Sequence, residues 1–188
     1  MSLNVLLLGP QGAGKGTQAK RIAAEYGIPH IASGEILRAE MAAGTELGQR
    51  VQEVYDRGDL VSDDLMIELI RNRIEQTDTE AGFVLDGFPR TTVQAEALDS
   101  MFADIGRNFS VAFALQIPDE VAFDRLRRRA RADDTDEAIQ RRLDNYHRET
   151  APLNEYYRTR GNLVPIHGER SENEVFAEIS RALEQVPA

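Results

Sequence analysis

Apolar positions along the chain gather into five short runs with longer stretches of helical spacing between them. The runs are NVLLL (4–8), HIA (30–32), GFVLD (82–86), SVAFALQI (110–117) and LVPI (163–166). Continuous apolar runs of this length read as strands buried on both faces, as in a parallel sheet. From Lys15 to Tyr26 the pattern is helical, and Gly27 with Pro29 stops it. Helical segments follow at about 34–43, 46–57 and 63–76, broken by Gly44 and by Gly58-Asp59. TTVQAEALDSMF is helical behind threonine caps. Pro118 ends the longest run and helix resumes near Asp119. Asp134 with Glu137 resembles a capping box and starts a helix through about His147; a terminal helix covers 172–185. Strands alternating with helices predict a three-layer α/β domain with a mostly parallel sheet. The segments between about 34 and 76 run without an intervening strand. They form an excursion from the sheet and therefore a mobile lobe.

Composition narrows the class. A chain of 188 residues, 41% hydrophobic, suits one domain with a sizeable core. The net charge is -10, which argues against a general nucleic-acid binder, since such affinity needs a basic face. Absence of cysteine excludes a disulfide framework and a Cys-based zinc site. The start, MSLNVLLLG, has no basic n-region and its apolar run is too short for a signal segment or a membrane span, so a soluble cytoplasmic protein is expected. Lys15 and Lys20 are the sole lysines. Five arginines nevertheless fall together in DRLRRRARADD, at 125, 127, 128, 129 and 131. A nucleic-acid patch, a salt-laced helix surface and a clamp for small-molecule phosphates would each produce such a cluster.

Candidate chemistry begins at GPQGAGKGT (9–17), whose spacing from Gly9 to Gly14-Lys15 fits G-x-x-x-x-G-K between a strand and a helix. Backbone N–H groups at a helix N-terminus bind anions, and Lys15 adds a mobile charge for β- and γ-phosphates. Gly16 occupies the usual Ser/Thr slot and the hydroxyl comes one place later, at Thr17. Metal contact by this loop is therefore expected through water. In FVLDGFPRT (83–91), Asp86 sits at a strand's C-terminal end, where ligands of parallel sheets bind, and can orient the waters of a nucleotide-bound Mg²⁺. Arg90 projects from the following stiff turn toward the same crevice. Arg125 and Arg129 are i,i+4 and share a helix face; Arg127 and Arg128 point elsewhere, toward surface carboxylates. His30, His147 and His167 are scattered and read as structural or surface residues.

GPQGAGKGT, SGEILR, DGFPRT and RADDTDEAIQRR occur in the order seen in adenylate kinases, and the whole chain resembles the short-lid form of that family. The resemblance implies a P-loop NTPase-type α/β fold, a central five-stranded parallel sheet flanked by helices. It divides residues 1–188 into one core domain with an inserted AMP lobe (32–61) and a short lid (128–134). It implies reversible transfer, Mg·ATP plus AMP to two ADP, with Mg²⁺ held through water near Asp86 and Thr17 and no direct protein ligand. Gly12, Ala13, Gly14, Lys15, Gly16 and Thr17 match the ATP-phosphate loop. Arg129 matches an ATP-phosphate arginine, Arg125 an arginine lying against the ATP adenine, and Gly168 a backbone contact to that base. Ser33 and Arg38 match the AMP base region and phosphate, and Asp59, Leu60 and Val61 the closure against the AMP adenine. Gly87, Phe88, Pro89, Arg90 and Gln94 complete the AMP site, with Gln94 reading the adenine edge. Arg131 and Arg142 match the pair clamping the transferring and accepting phosphates. Lys15, Arg90, Arg129, Arg131 and Arg142 are thus the expected catalytic set. The chain departs from the family at Gln11, Ser33 and Glu35, where proline, threonine and aspartate are usual.

Partners on this reading are ATP, AMP and ADP, with no nucleic acid and no membrane, and a monomer is expected because each site is complete in one chain. The neighbouring readings are a UMP/CMP kinase or a GTP:AMP phosphotransferase. DGFPRTTVQ favours AMP, because pyrimidine relatives tend to carry an asparagine soon after the PR pair. A nucleotide-dependent switch would need a guanine motif such as N-K-x-D, which the sequence lacks.

Overall fold

The computed structural model describes residues 2–186. Five strands, β1 (Leu3–Leu8), β2 (His30–Ala32), β3 (Gly82–Asp86), β4 (Val111–Gln116) and β5 (Leu163–His167), form one sheet. Every pairing is parallel and the order is β2-β3-β1-β4-β5. The five apolar runs become these five strands, each within about a residue or two of the expected bounds.

Strand period two divides the core cleanly. Leu6, Leu8, Phe83, Leu85, Ala112 and Ala114 face one side; Val5, Leu7, Val84, Val111, Phe113 and Leu115 face the other. The first side is covered by α2 (Ser33–Ala43), α3 (Glu46–Asp56), α4 (Asp63–Ile74), α5 (Thr92–Asp104) and α8 (Leu153–Arg158). The second is covered by α1 (Lys15–Tyr26) and α9 (Glu172–Leu183). Phe83 is fully buried and stacks on Phe102 with centroids 5.8 Å apart. Truncating such a ring costs about 3–5 kcal/mol through lost transfer energy and the cavity left behind. A third cluster, Ala122, Leu126, Ile139 and Leu143, joins α6 (Asp119–Arg129) to α7 (Asp136–Asn145).

The direction of chain progression reverses around β1. After β1 the chain passes through α1 to the β2 edge; after β3 it passes to β4 on the opposite side. Such a switch point leaves a crevice beyond the C-terminal strand ends, where ligands of open α/β sheets bind. The C-terminal ends of β1 and β3 lead directly into GPQGAGKGT and DGFPRT.

Two departures from the sequence expectations concern helix ends. Thr135, not Asp134, caps α7, its hydroxyl accepting from the Ala138 amide at 3.1 Å. The Asp134 carboxylate is engaged by arginines instead. The expected helix through His147 changes at Asn145 into a π-helical turn, Tyr146–Thr150, and α8 follows Pro152. Gly48 lies inside α3. A Cβ there would sit 2.2 Å from the Glu40 carbonyl oxygen, so the residue allows α2 and α3 to approach closely.

Candidate active site

At the end of β1 the chain enters the phosphate-loop sequence. Gly14 precedes α1 with φ 93°, a left-handed conformation natural to glycine, and no side chain caps the helix. The opening amides of α1 have no partner within the helix and provide an anion cradle. Lys15 folds back across the loop, its Nζ donating to the carbonyls of Gly9 and Pro10, both at 2.8 Å. Burial pushes its pKa down to about 8; the Arg90 and Arg129 charges act in the same direction and Asp86 opposes them.

Asp86 ends β3 beside this loop. A Cβ on Gly16 would lie 3.5 Å from Asp86 Oδ2, so the loop backbone and the carboxylate are close neighbours. Burial acts to raise the Asp86 carboxyl, but the His30 ring, the Lys15 ammonium and Arg90 outweigh it and hold its pKa below the ordinary value. His30 Nε2 lies 3.7 Å from Asp86 Oδ2, so this histidine stands beside the site's carboxylate, largely buried and not on the outer surface. One carboxylate with an exposed threonine nearby is a donor set suited to a cation that keeps its waters and arrives with phosphates. No cluster of three or more His, Cys, Asp or Glu placed for a metal occurs among the described residues.

The turn after β3 fixes Arg90. Gly87 has φ 84°, and a Cβ there would meet Ser33 Oγ at 2.5 Å. Arg90 Nε donates to the Gly87 carbonyl at 2.7 Å, and the Thr150 hydroxyl donates to the Arg90 carbonyl at 2.8 Å. The π-helical turn thus delivers Thr150 to the site, a use seen for such turns elsewhere. Burial depresses the Arg90 pKa, as do the Arg142 and Arg38 charges, against Asp86 and Tyr55. The guanidinium remains charged regardless. Arg38 donates to the Tyr55 hydroxyl at 2.6 Å.

Asp134 organises the far wall. Its carboxylate takes a two-pronged contact from Arg129 at 2.9 and 2.7 Å and a further bond from Arg142 at 2.8 Å. Arg142 also donates to Asp133 at 2.6 Å. The Arg131 backbone N–H reaches the same Asp134 carboxylate at 3.2 Å, while the Arg131 side chain makes no hydrogen bond or ion pair among the described residues. Burial would raise the Asp134 carboxyl, yet its arginine partners bring its pKa below the usual value. Arg127 pairs with Asp136 at 3.2 Å, away from the cleft, as its helix position implies. Arg125 instead braces two loops, donating to the carbonyls of Gly168 at 3.0 Å and Gly12 at 3.4 Å.

All these elements border one cleft of about 780 Å³. Gly12 to Thr17, Arg125, Arg129 and Gly168 line one part; Ser33, Arg38, Asp59, Leu60, Val61, Gly87, Pro89, Arg90 and Gln94 line another; Arg131 and Arg142 line it as well. Phe88 does not: it is buried, 1% exposed, among the core residues under α5. Tyr55, Met66, Asn145, Tyr146 and Thr150 also border the cleft and were not among the residues expected from sequence. The aromatic, apolar and amide side chains carry no phosphate signal, and Thr150 reaches the site through the Arg90 carbonyl. The cluster DRLRRRARADD is therefore divided by the fold, with Arg125, Arg129 and Arg131 turned to the cleft and Arg127 to a surface carboxylate.

Residues 7–162 match the family model described as Adenylate kinase. Among curated proteins, the adenylate kinase of Phenylobacterium zucineum is 45% identical over 96% of this chain and 97% of its own length. That of Stenotrophomonas maltophilia is 43% identical over 96% of this chain and 99% of its own. That of Methanosarcina barkeri is 39% identical, with 97% of this chain and 99% of its own covered; the alignment spans 213 positions, so this relative carries inserted residues that the 188-residue chain lacks. A match over most of the chain and full-length relatives of this similarity carry the same conclusion as the cleft they surround: the chain belongs to the adenylate kinase family.

Proposed function

We propose that the cleft performs reversible transfer of the γ-phosphoryl group of Mg·ATP to the phosphate of AMP, yielding two ADP, and that its residues divide the work as follows. The observation that carries this reading is the convergence of Lys15, Arg38, Arg90, Arg129, Arg131 and Arg142 on one cleft of an acidic protein. Their fields depress one another: Arg90 feels Arg142 and Arg38, and Arg131 feels Arg129 and Arg38. Like charges brought together at that cost fit a pair of polyphosphate ligands.

Gly12 to Thr17 bind the ATP phosphates through backbone N–H groups, and Lys15 exchanges its two carbonyl partners for phosphate oxygens. Arg125 and Gly168 border the ATP base; Leu60, Val61 and Gln94 border that of AMP. Arg38 and Arg90 hold the accepting phosphate, and Ser33 stands at the AMP base region. An oxygen of the AMP phosphate attacks the γ-phosphorus in line, and the bond from that phosphorus to the bridging oxygen of ADP breaks. The reaction needs no nucleophilic side chain, since the acceptor phosphate is already ionised near neutral pH. Arg129, Arg131 and Arg142 stabilise the charge spread over the transferring oxygens. Asp86 and Thr17 would hold the nucleotide's Mg²⁺ through water, and the ion when bound would supply positive charge to the phosphates.

Residues 32–61 act as a lobe over AMP and 128–134 as a short lid over ATP, together excluding water as a competing acceptor. The lobe's end is already tied to α7: Asn145 donates to the Gly58 carbonyl at 3.2 Å and Arg141 pairs with Asp59 at 3.3 Å. No helix among the described residues is long and apolar enough to cross a membrane. A monomer is proposed because the residues assigned to both nucleotides line one cleft of a single chain. A coupled assay for ADP from ATP and AMP, run against UMP, CMP and GMP and with GTP replacing ATP, tests the reading. AMP with ATP is expected to be fastest. Faster turnover of UMP or CMP would favour the pyrimidine kinase, and faster turnover with GTP the GTP:AMP phosphotransferase.

A further inference from the structure

Gln94 is 2% exposed and its carboxamide is held at both ends. The backbone N–H of Arg90 donates to Gln94 Oε1 at 2.8 Å. Gln94 Nε2 donates to Asp63 Oδ1 at 2.8 Å. The same Asp63 oxygen accepts from the Thr91 hydroxyl at 2.9 Å, and Thr91 in turn caps α5 by accepting from the Gln94 amide at 3.2 Å. Asp63 stands in the first turn of α4, half-buried behind Gln94 and off the cleft wall.

A carboxamide normally turns over at little cost, exchanging its donor and acceptor ends. Here it cannot. A backbone N–H is a donor only, and an ionised carboxylate is an acceptor only. Turning Gln94 over would set N–H against N–H at Arg90 and oxygen against oxygen at Asp63. Each loses a bond, and the second also opposes a carboxylate to a carbonyl. The group therefore presents to the cleft its remaining N–H and its remaining oxygen lone pair in one fixed sense. Adenine carries an acceptor, N1, beside a donor, the 6-amino group. A 6-oxopurine carries the reverse, an N1–H donor beside an oxygen acceptor.

We infer that Asp63 is a specificity-determining positioning residue: by locking the sense of the Gln94 carboxamide it makes the acceptor site select a 6-aminopurine monophosphate over a 6-oxopurine one. The inference rests on the reading that Gln94 faces the acceptor base.

The test compares calorimetric Kd values for AMP and inosine monophosphate, together with kcat and KM for AMP, in the wild type and in Asp63→Ala, Asp63→Asn and Gln94→Leu. Asparagine keeps the size of the side chain but offers either a donor or an acceptor. Both Asp63 variants should narrow the AMP preference by about tenfold, as expected for one charge-assisted bond. The change should appear in Kd and KM for AMP, with kcat within about twofold of wild type. A purely structural role would weaken both ligands alike and leave the ratio unchanged. An unchanged ratio in Asp63→Asn, with a collapsed ratio in Gln94→Leu, overturns the lock alone. An unchanged ratio in Gln94→Leu overturns the base-reading role of Gln94 and the lock with it.

Discussion

Lys15 is held in the free enzyme by two carbonyl oxygens, and burial brings its pKa down to about 8 against the opposing charge of Asp86. The native state binds this proton less well than the unfolded chain, whose lysine has a pKa of 10.5, so between these values stability rises with pH as the burial cost is relieved. Phosphate oxygens at the same ammonium favour the protonated form. ATP binding near pH 8.5 should therefore take up a fraction of a proton, visible as a calorimetric heat that changes with the buffer's ionisation enthalpy. Equal heats in phosphate and Tris, after subtraction of the nucleotide's own protonation, would contradict the role of Lys15. Replacing Lys15 by methionine or Arg90 by alanine should lower kcat by at least about a hundredfold, as for other lost transition-state contacts, with the circular dichroism spectrum retained. Wild-type-like turnover in either variant would remove that residue from the mechanism. Lys15 and Arg90 were legible as cleft residues because loop spacing and the end of a strand announce them. Asp63 was not, because it meets Gln94 only when α4 and α5 are brought together, 31 residues apart in sequence.

Between α6 and α7, Asp134 decides both the cap and the charge arrangement. In the sequence, Asp134 with Glu137 reads as the capping pair, whereas in the fold Thr135 takes the cap position one residue later. Arg129 and Arg142 claim the aspartate, so the threonine caps the helix. Local pattern could not decide this, since it turns on a tertiary ion pair. The helix α8 was obscured in a similar way: Pro152 interrupts the pattern, and only Leu153 and Tyr157, buried at i,i+4, mark it. Asp134→Asn removes one of the two carboxylates that face Arg129 and Arg142; Arg129 stays partly exposed, so the loss should cost about 1–3 kcal/mol. The variant should melt well below the wild type at neutral pH and recover more of the difference when phosphate ligands occupy the cleft. The wild type should lose this contribution in acid. The folded Asp134 pKa lies below 3.8, so the stabilisation is intact above that value and disappears as pH falls through the lower one. Equal melting temperatures for variant and wild type at pH 7 would show that the cluster contributes nothing.

For the whole molecule, the alternation of strand and helix made the parallel sheet legible, because a strand buried on both faces leaves few polar positions to confuse the pattern. The same pattern cannot tell which helices lie across a cleft from one another. Both proposed nucleotide subsites line one cleft of a single chain, and a bisubstrate ligand, two adenosines joined by five phosphates, should span them. At a thousandfold excess over Kd it adds about 4 kcal/mol of stability. At roughly 2–4 °C per kcal/mol for a domain of this size, the melting temperature should rise by about 8–16 °C. No rise at saturation would argue against two adjoining sites. Size-exclusion chromatography with light scattering should give the mass of one chain, 21.0 kDa, with and without that ligand.

The crowding of arginines around Asp134 and Arg90 also bears on how long the protein survives in a cell. An empty cleft holds cations that repel one another, and bound phosphates relieve that repulsion in the native state alone. Proteases that act on transiently opened chains will find fewer of them when nucleotides are plentiful. Digestion by an added protease should therefore slow as nucleotide concentration rises, and an unchanged digestion rate at saturation would contradict this coupling.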